Sequence, residues 1–258
     1  MRAVRLVAVT RAVSAALAQC ELVHLERRPI DVPLARRQHH AYEDALRGLG
    51  CAVRTLPAED ALPDSVFVED AAVVLDEVAV ITRPGAESRR PETASVAAAL
   101  AAYRPLVTIT APGTMDGGDV LRIDRAVYVG ETDRTNRAGI EQLTAALAPF
   151  GYRVHPVAVR ECLHLKSAAT LVAADTVLCN PRWVEPATFV DRRVIEVDPG
   201  EAGAANGLEV GDRLVYPVSF PATARRLAER GITLVPVDVS ELQKAEGAVT
   251  CCSLIFPA

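Results

Sequence analysis

The stretch Ala71-Ala72-Val73-Val74-Leu75-Asp76-Glu77-Val78-Ala79-Val80-Ile81-Thr82 decides how the chain is read. Two runs of apolar, largely β-branched residues flank an acidic two-residue turn, a pattern that predicts a hairpin. A helix follows, opening near Ser88 and Pro91 and running through Ala-rich sequence to Tyr103, and then a strand over residues 106–109. The order is strand, turn, strand, helix, strand.

That order recurs. A second round places a hairpin at residues 119–123 and 126–130, a helix at 136–149 and a strand at 152–157. A third reads 169–173 and 176–179, a weak helix at 185–192 and a strand at 194–197. A fourth reads 207–210 and 213–216, a helix at 221–230 and a strand at 233–237. The unit still missing, the first along the chain, is divided between the two ends. A strand at 4–9 leads to a helix at 34–49, ended by Gly48 and Gly50, and a strand at 51–56, while the run 250–256 has no partner after it and can pair with 4–9.

Five units at a spacing of roughly 40–50 residues fall where repeat arrays and propellers lie. One unit alone leaves apolar faces bare, and closing a ring covers them. The expected fold is therefore α/β, a five-bladed α/β propeller of strand-strand-helix-strand units whose first unit is closed by the C-terminal strand, in a single domain over residues 1–258. An open doubly wound sheet would carry single strands between its helices, not hairpins. No Gly-x-Gly-x-x-Gly supports a dinucleotide site.

Composition narrows the class. Half of the 258 residues are hydrophobic and 24% are charged, which fits a globular chain and excludes disorder. The net charge of −5 opposes nucleic-acid binding, which needs a basic surface. No apolar run reaches the length of a membrane span. The start, Met1-Arg2 with apolar residues 6–9 and Ala15-Ala16-Leu17-Ala18-Gln19-Cys20, resembles a leader only superficially: Arg11 splits it and Gln19 suits cleavage poorly. A cytoplasmic location is expected, with Cys20, Cys51, Cys162, Cys179, Cys251 and Cys252 as thiols and Cys20, Cys51 and Cys179 in the core. His39-His40 reads as part of a solvated helix face.

The polar residues that stand out sit just before, or at the start of, each hairpin's first strand: Glu69-Asp70, Asp116, His164 and Cys251. Taken singly, a Cys in an apolar strand or a His between leucines is more often core, and Asp-Gly-Gly-Asp is more often a turn. Repetition at one place in the unit changes the reading, because rotation about an axis would bring these residues together. A thiol, an imidazole and carboxylates are the set that Cys–His nucleophilic catalysis needs. Cys162-x-His164 with Cys251-Cys252 matches no standard structural zinc spacing.

Six motifs, in order along nearly the whole chain, carry a resemblance. They are residues 63–70 (PDSVFVED), 81–90 (ITRPGAESRR), 115–121 (MDGGDVL), 134–136 (RTN), 163–167 (LHLKS) and 250–253 (TCCS). Together they resemble the dimethylarginine dimethylaminohydrolase family of the guanidino-group-modifying (pentein) superfamily, whose five-unit propeller agrees with the repeat count. The resemblance implies hydrolysis of Nω,Nω-dimethyl- and Nω-monomethyl-L-arginine to citrulline and an amine, with no cofactor and no metal. It implies Cys251 as nucleophile, His164 as general acid and base, and Asp116 as its carboxylate partner. Asp70 with Glu69 would take the guanidinium, Arg89 and Arg134 the α-carboxylate, Asp64 and the Leu22 carbonyl the α-amino group, with Phe67 lining the pocket and residues 19–28 as a lid. The partner is then a small methylated arginine, acted on by a monomer or homodimer. An arginine deiminase or amidinotransferase of the same superfamily, or a non-catalytic sensor of arginine-like ligands or zinc, are the competing readings.

Overall fold

The computed structural model describes residues 5–258; Met1, Arg2 and Val4 lie outside the described residues. Among those described, fifteen strands form five three-stranded mixed sheets. The opening hairpin is β3 (Ala72–Val74) against β4 (Ala79–Ile81), with Val73 opposite Val80, and β4 runs parallel to β5 (Leu106–Thr108). The next three rounds repeat this pairing. They are β6 (Val120–Ile123), β7 (Ala126–Glu131) and β8 (Arg153–Ala158); β9 (Ala169–Ala173), β10 (Thr176–Cys179) and β11 (Arg193–Glu196); and β12 (Leu208–Val210), β13 (Arg213–Pro217) and β14 (Thr233–Val237). The remaining sheet joins the chain ends: β1 (Leu6–Arg11) runs antiparallel to β15 (Leu254–Pro257) and parallel to β2 (Ala52–Leu56).

Each parallel pair needs a crossover, and helices supply most of them. Helix α1 (Val32–Gly48) is capped by Asp31, whose carboxylate accepts the Leu34 N–H, and it ends before Gly50 at φ +88°, a conformation that glycine adopts without strain. Helix α2 (Thr93–Leu100) follows a 3₁₀ turn over Glu87–Glu92, and α3 (Arg137–Leu147) is capped by Asn136. In the third round the weak helix at 185–192 reduces to one 3₁₀ turn, Pro186–Thr188. A segment that short, without a helical apolar stripe, cannot meet the cost of nucleation. Short α4 (Leu165–Ala168) precedes β9, α5 (Pro221–Glu229) bridges β13 and β14, and α6 (Ser240–Gln243) follows.

The apolar residues gather into five cores. Each lies between two sheets successive along the chain, and the fifth joins β13 and β14 residues Val215 and Val237 to Ala8 of β1. Two expectations need correction here. His39 is buried beside Tyr42 on the core side of α1, and only His40 is solvated, because positions 39, 42 and 46 share one helical face. The strand expected from residue 250 begins at Leu254. Residues 250–253 form a turn, held where the Asn206 side chain bonds both the Thr250 N–H and hydroxyl. No helix among the described residues is long and apolar enough to cross a membrane.

Candidate active site

Each unit presents its site residue at the same structural point, the turn that enters the first strand of its sheet. Glu69 and Asp70 occupy a 3₁₀ turn, Val68–Ala71, ahead of β3. Asp116 precedes the 3₁₀ turn Gly117–Asp119 ahead of β6, His164 precedes α4 and β9, and Cys251 lies in the turn before β15. Sequence reading passed over the counterpart in the remaining unit, Asn206, which enters β12 and whose amide donates to Thr250 Oγ1.

These turns converge. Glu21, Asp64, Phe67, Asp70, Arg89, Arg134, Leu163, His164, Glu246, Gly247 and Cys251 belong to one cavity wall. Its free space is about 20 Å³, room for little more than one water. His164 Nε2 lies 3.0 Å from Asp116 Oδ2 and 3.9 Å from Asp70 Oδ1. Gly118 lets the ring approach: a Cβ there would come within 2.7 Å of His164 Nδ1. Burial alone would push the imidazole pKa down, but Asp70, the bond to Asp116 and the charge of Asp119 outweigh it and raise it to about 9. His164 is therefore protonated at neutral pH. Burial and the neighbouring charges of Glu69 and Asp70 push the Cys251 thiol up to about 12, although part of that residue stays accessible. Burial opposes ionisation of Asp70 too, yet His164 and Arg89 hold its pKa down to about 2.

The arginines differ in role. Arg89 spends its fork on protein: Nη1 donates to Asp70 at 2.7 Å, Nε and Nη2 bond Glu92, and Nη2 also reaches the carbonyls of Asp64 and Phe67. It lines the cavity as the clamp on Asp70, not as a free fork for an anion. Arg134 is also buried, but its Nη1 has no hydrogen-bond partner and lies 3.5 Å from Asp116 Oδ2. Arg134 thus lines the cavity with a buried guanidinium nitrogen that, among the described residues, makes an ion pair but no hydrogen bond.

One carboxylate expected at the substrate stands elsewhere. Glu69 faces away from this cavity: Lys166 Nζ donates to it at 2.6 Å and Thr250 Oγ1 at 2.8 Å, and its side chain lines a separate cavity with Arg122 and Glu209. The Leu22 side chain packs on the core that holds Ala8 and Leu242, and its neighbour Glu21 lines the cavity. Asp64 lines the cavity and accepts the Glu21 N–H, so that carboxylate tethers the covering segment. Over residues 23–25 the tether is Glu246, whose carboxylate accepts three successive backbone N–H groups. The sequence offered no sign of Glu246, a partner more than 200 positions away.

Asp70, Asp116 and His164 place ligand atoms within 4.8 Å of one another, close enough to share a metal ion. Both carboxylates already face arginine, at 2.7 and 3.5 Å, so a cation would have to compete with those guanidinium groups.

A family model described as N,N dimethylarginine dimethylhydrolase, eukaryotic, matches residues 24–181. The chain is 47% identical over 249 residues to the N(G),N(G)-dimethylarginine dimethylaminohydrolase of Streptomyces coelicolor, covering 96% of this chain and 95% of that one. It is 36% identical over 228 residues to the protein of the same name from Pseudomonas aeruginosa, covering 88% and 90%. The solved structure of the latter, a cysteine-to-serine mutant complexed with citrulline, superposes with a TM-score of 0.93 at 33% identity, covering 98% and 99% of the two chains.

Proposed function

Because this chain belongs to the dimethylarginine dimethylaminohydrolase family, we propose that it hydrolyses Nω,Nω-dimethyl-L-arginine and Nω-monomethyl-L-arginine to L-citrulline and dimethylamine or methylamine. The observation that carries this is the meeting, on one cavity wall, of a thiol from residue 251, a protonated imidazole from residue 164 and a carboxylate from residue 70.

Asp70 receives the substrate guanidinium, and the open donor of Arg134 receives the α-carboxylate. The α-amino group lies toward Asp64 and Glu21, and Phe67 packs on the aliphatic chain. The bound cation lowers the thiol pKa, and the Cys251 proton leaves to solvent. The thiolate then attacks the guanidinium carbon, giving a tetrahedral adduct. His164, held by Asp116, gives its proton to the departing amine, the C–N bond breaks, and a Cys251 thiouronium remains. The now neutral His164 takes a proton from water, whose oxygen adds to the same carbon. Collapse breaks the C–S bond, the adduct's hydroxyl proton passes to the departing Cys251 sulfur, and neutral citrulline is released. The room for about one water means that the segment tethered by Asp64 and Glu246 must open for substrate to enter.

The reading extends to the whole molecule: one catalytic domain, a five-bladed α/β propeller, working in the cytoplasm as a monomer or homodimer. The ring is supported by the five cores, since the sheet of β12, β13 and β14, the last along the chain, shares one with the sheet of β1. The test is citrulline formation from dimethylarginine, monomethylarginine and arginine in parallel, with Cys251→Ser as control, and mass spectrometry of quenched protein for an adduct on the Cys251 peptide. Faster turnover of plain arginine overturns the substrate; a Cys251→Ser protein with wild-type turnover overturns the nucleophile.

A further inference from the structure

The mechanism makes no use of Asp119, yet this residue is fully buried and, among the described residues, no arginine or lysine pairs with it. Burial pushes its carboxyl pKa up to about 6, against the pull of His164 and its hydrogen bonds. Such a group is costly to retain unless it organises its surroundings.

What it organises is specific. Oδ1 accepts the N–H of Leu165, the residue directly after His164, at 3.0 Å. Oδ2 accepts two hydroxyls, from Thr132 at 2.7 Å and Thr135 at 2.6 Å. Thr132 Oγ1 in turn accepts the N–H of Arg134 at 3.1 Å, and Thr135 Oγ1 accepts the N–H of Asp116 at 3.1 Å. The carboxylate therefore ties three separate segments, those that carry His164, Asp116 and Arg134. Gly130 leaves it room, since a Cβ there would come within 2.7 Å of Asp119 Oδ1 and 3.0 Å of Leu165 Cβ.

We propose that Asp119 is a positioning residue for the hydrolase reaction, fixing the His164–Asp116 pair and the Arg134 guanidinium in mutual register through Thr132, Thr135 and the Leu165 N–H. This deepens the reading above and rests on it for its kinetic arm alone. Asp119 also places negative charge behind the imidazole. The other charged or titratable groups facing His164 are Asp70 from the turn before β3, Asp116 from the turn before β6, and across the cavity Cys251, Arg89 and Arg134.

The decisive comparison is wild type against Asp119→Asn, which keeps the shape and one acceptor. His164 is titrated by NMR of its imidazole, and kcat is measured with dimethylarginine. The expected result is a His164 midpoint lower by about one unit, because a negative neighbour is gone, and a kcat lower by about 100-fold, the cost of an ångström of misplacement. A lower melting temperature with wild-type His164 midpoint and kcat overturns the proposal. If Asp119→Asn does not fold, Thr135→Ser and Thr135→Val replace it: the serine keeps the bridging hydroxyl and is expected to retain turnover that the valine loses, and equal turnover by the two overturns the proposal. Should the wild type leave dimethylarginine untouched, the hydrolase reading fails while the imidazole titration still tests Asp119.

Discussion

The resting state of Cys251 allows a quantitative test. With its pKa pushed to about 12, roughly one thiol in 100,000 is ionised at neutral pH. A guanidinium brought to about 4 Å in a partly screened site contributes about 4 kcal/mol of attraction for the thiolate. At about 1.4 kcal/mol per unit, that lowers the midpoint by about three units and raises the ionised fraction about a thousandfold. The measurement is the ultraviolet thiolate absorbance of the protein across pH, with and without guanidinium ion at a non-denaturing concentration. Cys251→Ser is subtracted to remove the other thiols. A downward shift on adding the cation is expected. Asp70→Asn is expected to lower the midpoint of the free protein, since Asp70 is one of the charges that raise it. A free thiol that ionises well below neutrality, or a midpoint the cation leaves unmoved, refutes the reasoning.

Other outcomes follow from the same geometry. Asp116→Asn removes the carboxylate 3.0 Å from His164 Nε2 and should lower kcat by about 10²–10⁴-fold, read in a citrulline assay. Arg134→Gln deletes the open buried donor and should raise KM by about 10–100-fold, the worth of a hydrogen bond to a charged group, with a smaller change in kcat. Gly118→Ala places a methyl group 2.7 Å from His164 Nδ1, so turnover should fall far more than melting temperature does. Stability should respond to pH at both ends. His164 is raised from 6.5 to about 9, so its contribution is complete below 6.5 and lost as pH climbs through 9; Asp70 is lowered from 3.8 to about 2, so its contribution is present above 3.8 and lost as pH drops through 2. Melting temperature measured across pH should therefore peak between about 4 and 6.5; a maximum above 9 would contradict the His164 assignment, and a maximum below 2 the Asp70 assignment.

The four hairpins were legible because apolar runs alternate with acidic or glycine turns, and the C-terminal strand, expected over 250–256 and found at 254–257, was placed beside the first strand for want of any other partner. Direction where the turns meet was not legible. Glu69 and Asp70 are neighbours in one turn, yet one faces Lys166 and the other His164. A single residue of phase decides which way a carboxylate points from that turn. Arg89 illustrates a second limit: its fork suits a free carboxylate, and only coordinates reveal that Glu92, three residues on, and Asp70 already occupy it. The burial of His39, by contrast, could have been read from its helical spacing to Tyr42 and Leu46.

The sheet that unites β15 with β1 has a consequence for biosynthesis. Translation delivers Cys251 and its supporting strand after the other four sheets have left the ribosome. Until then β1 exposes one unsatisfied edge, and the nascent polypeptide lacks the thiol proposed as nucleophile, so closing that edge and completing the proposed site depend on the same last residues.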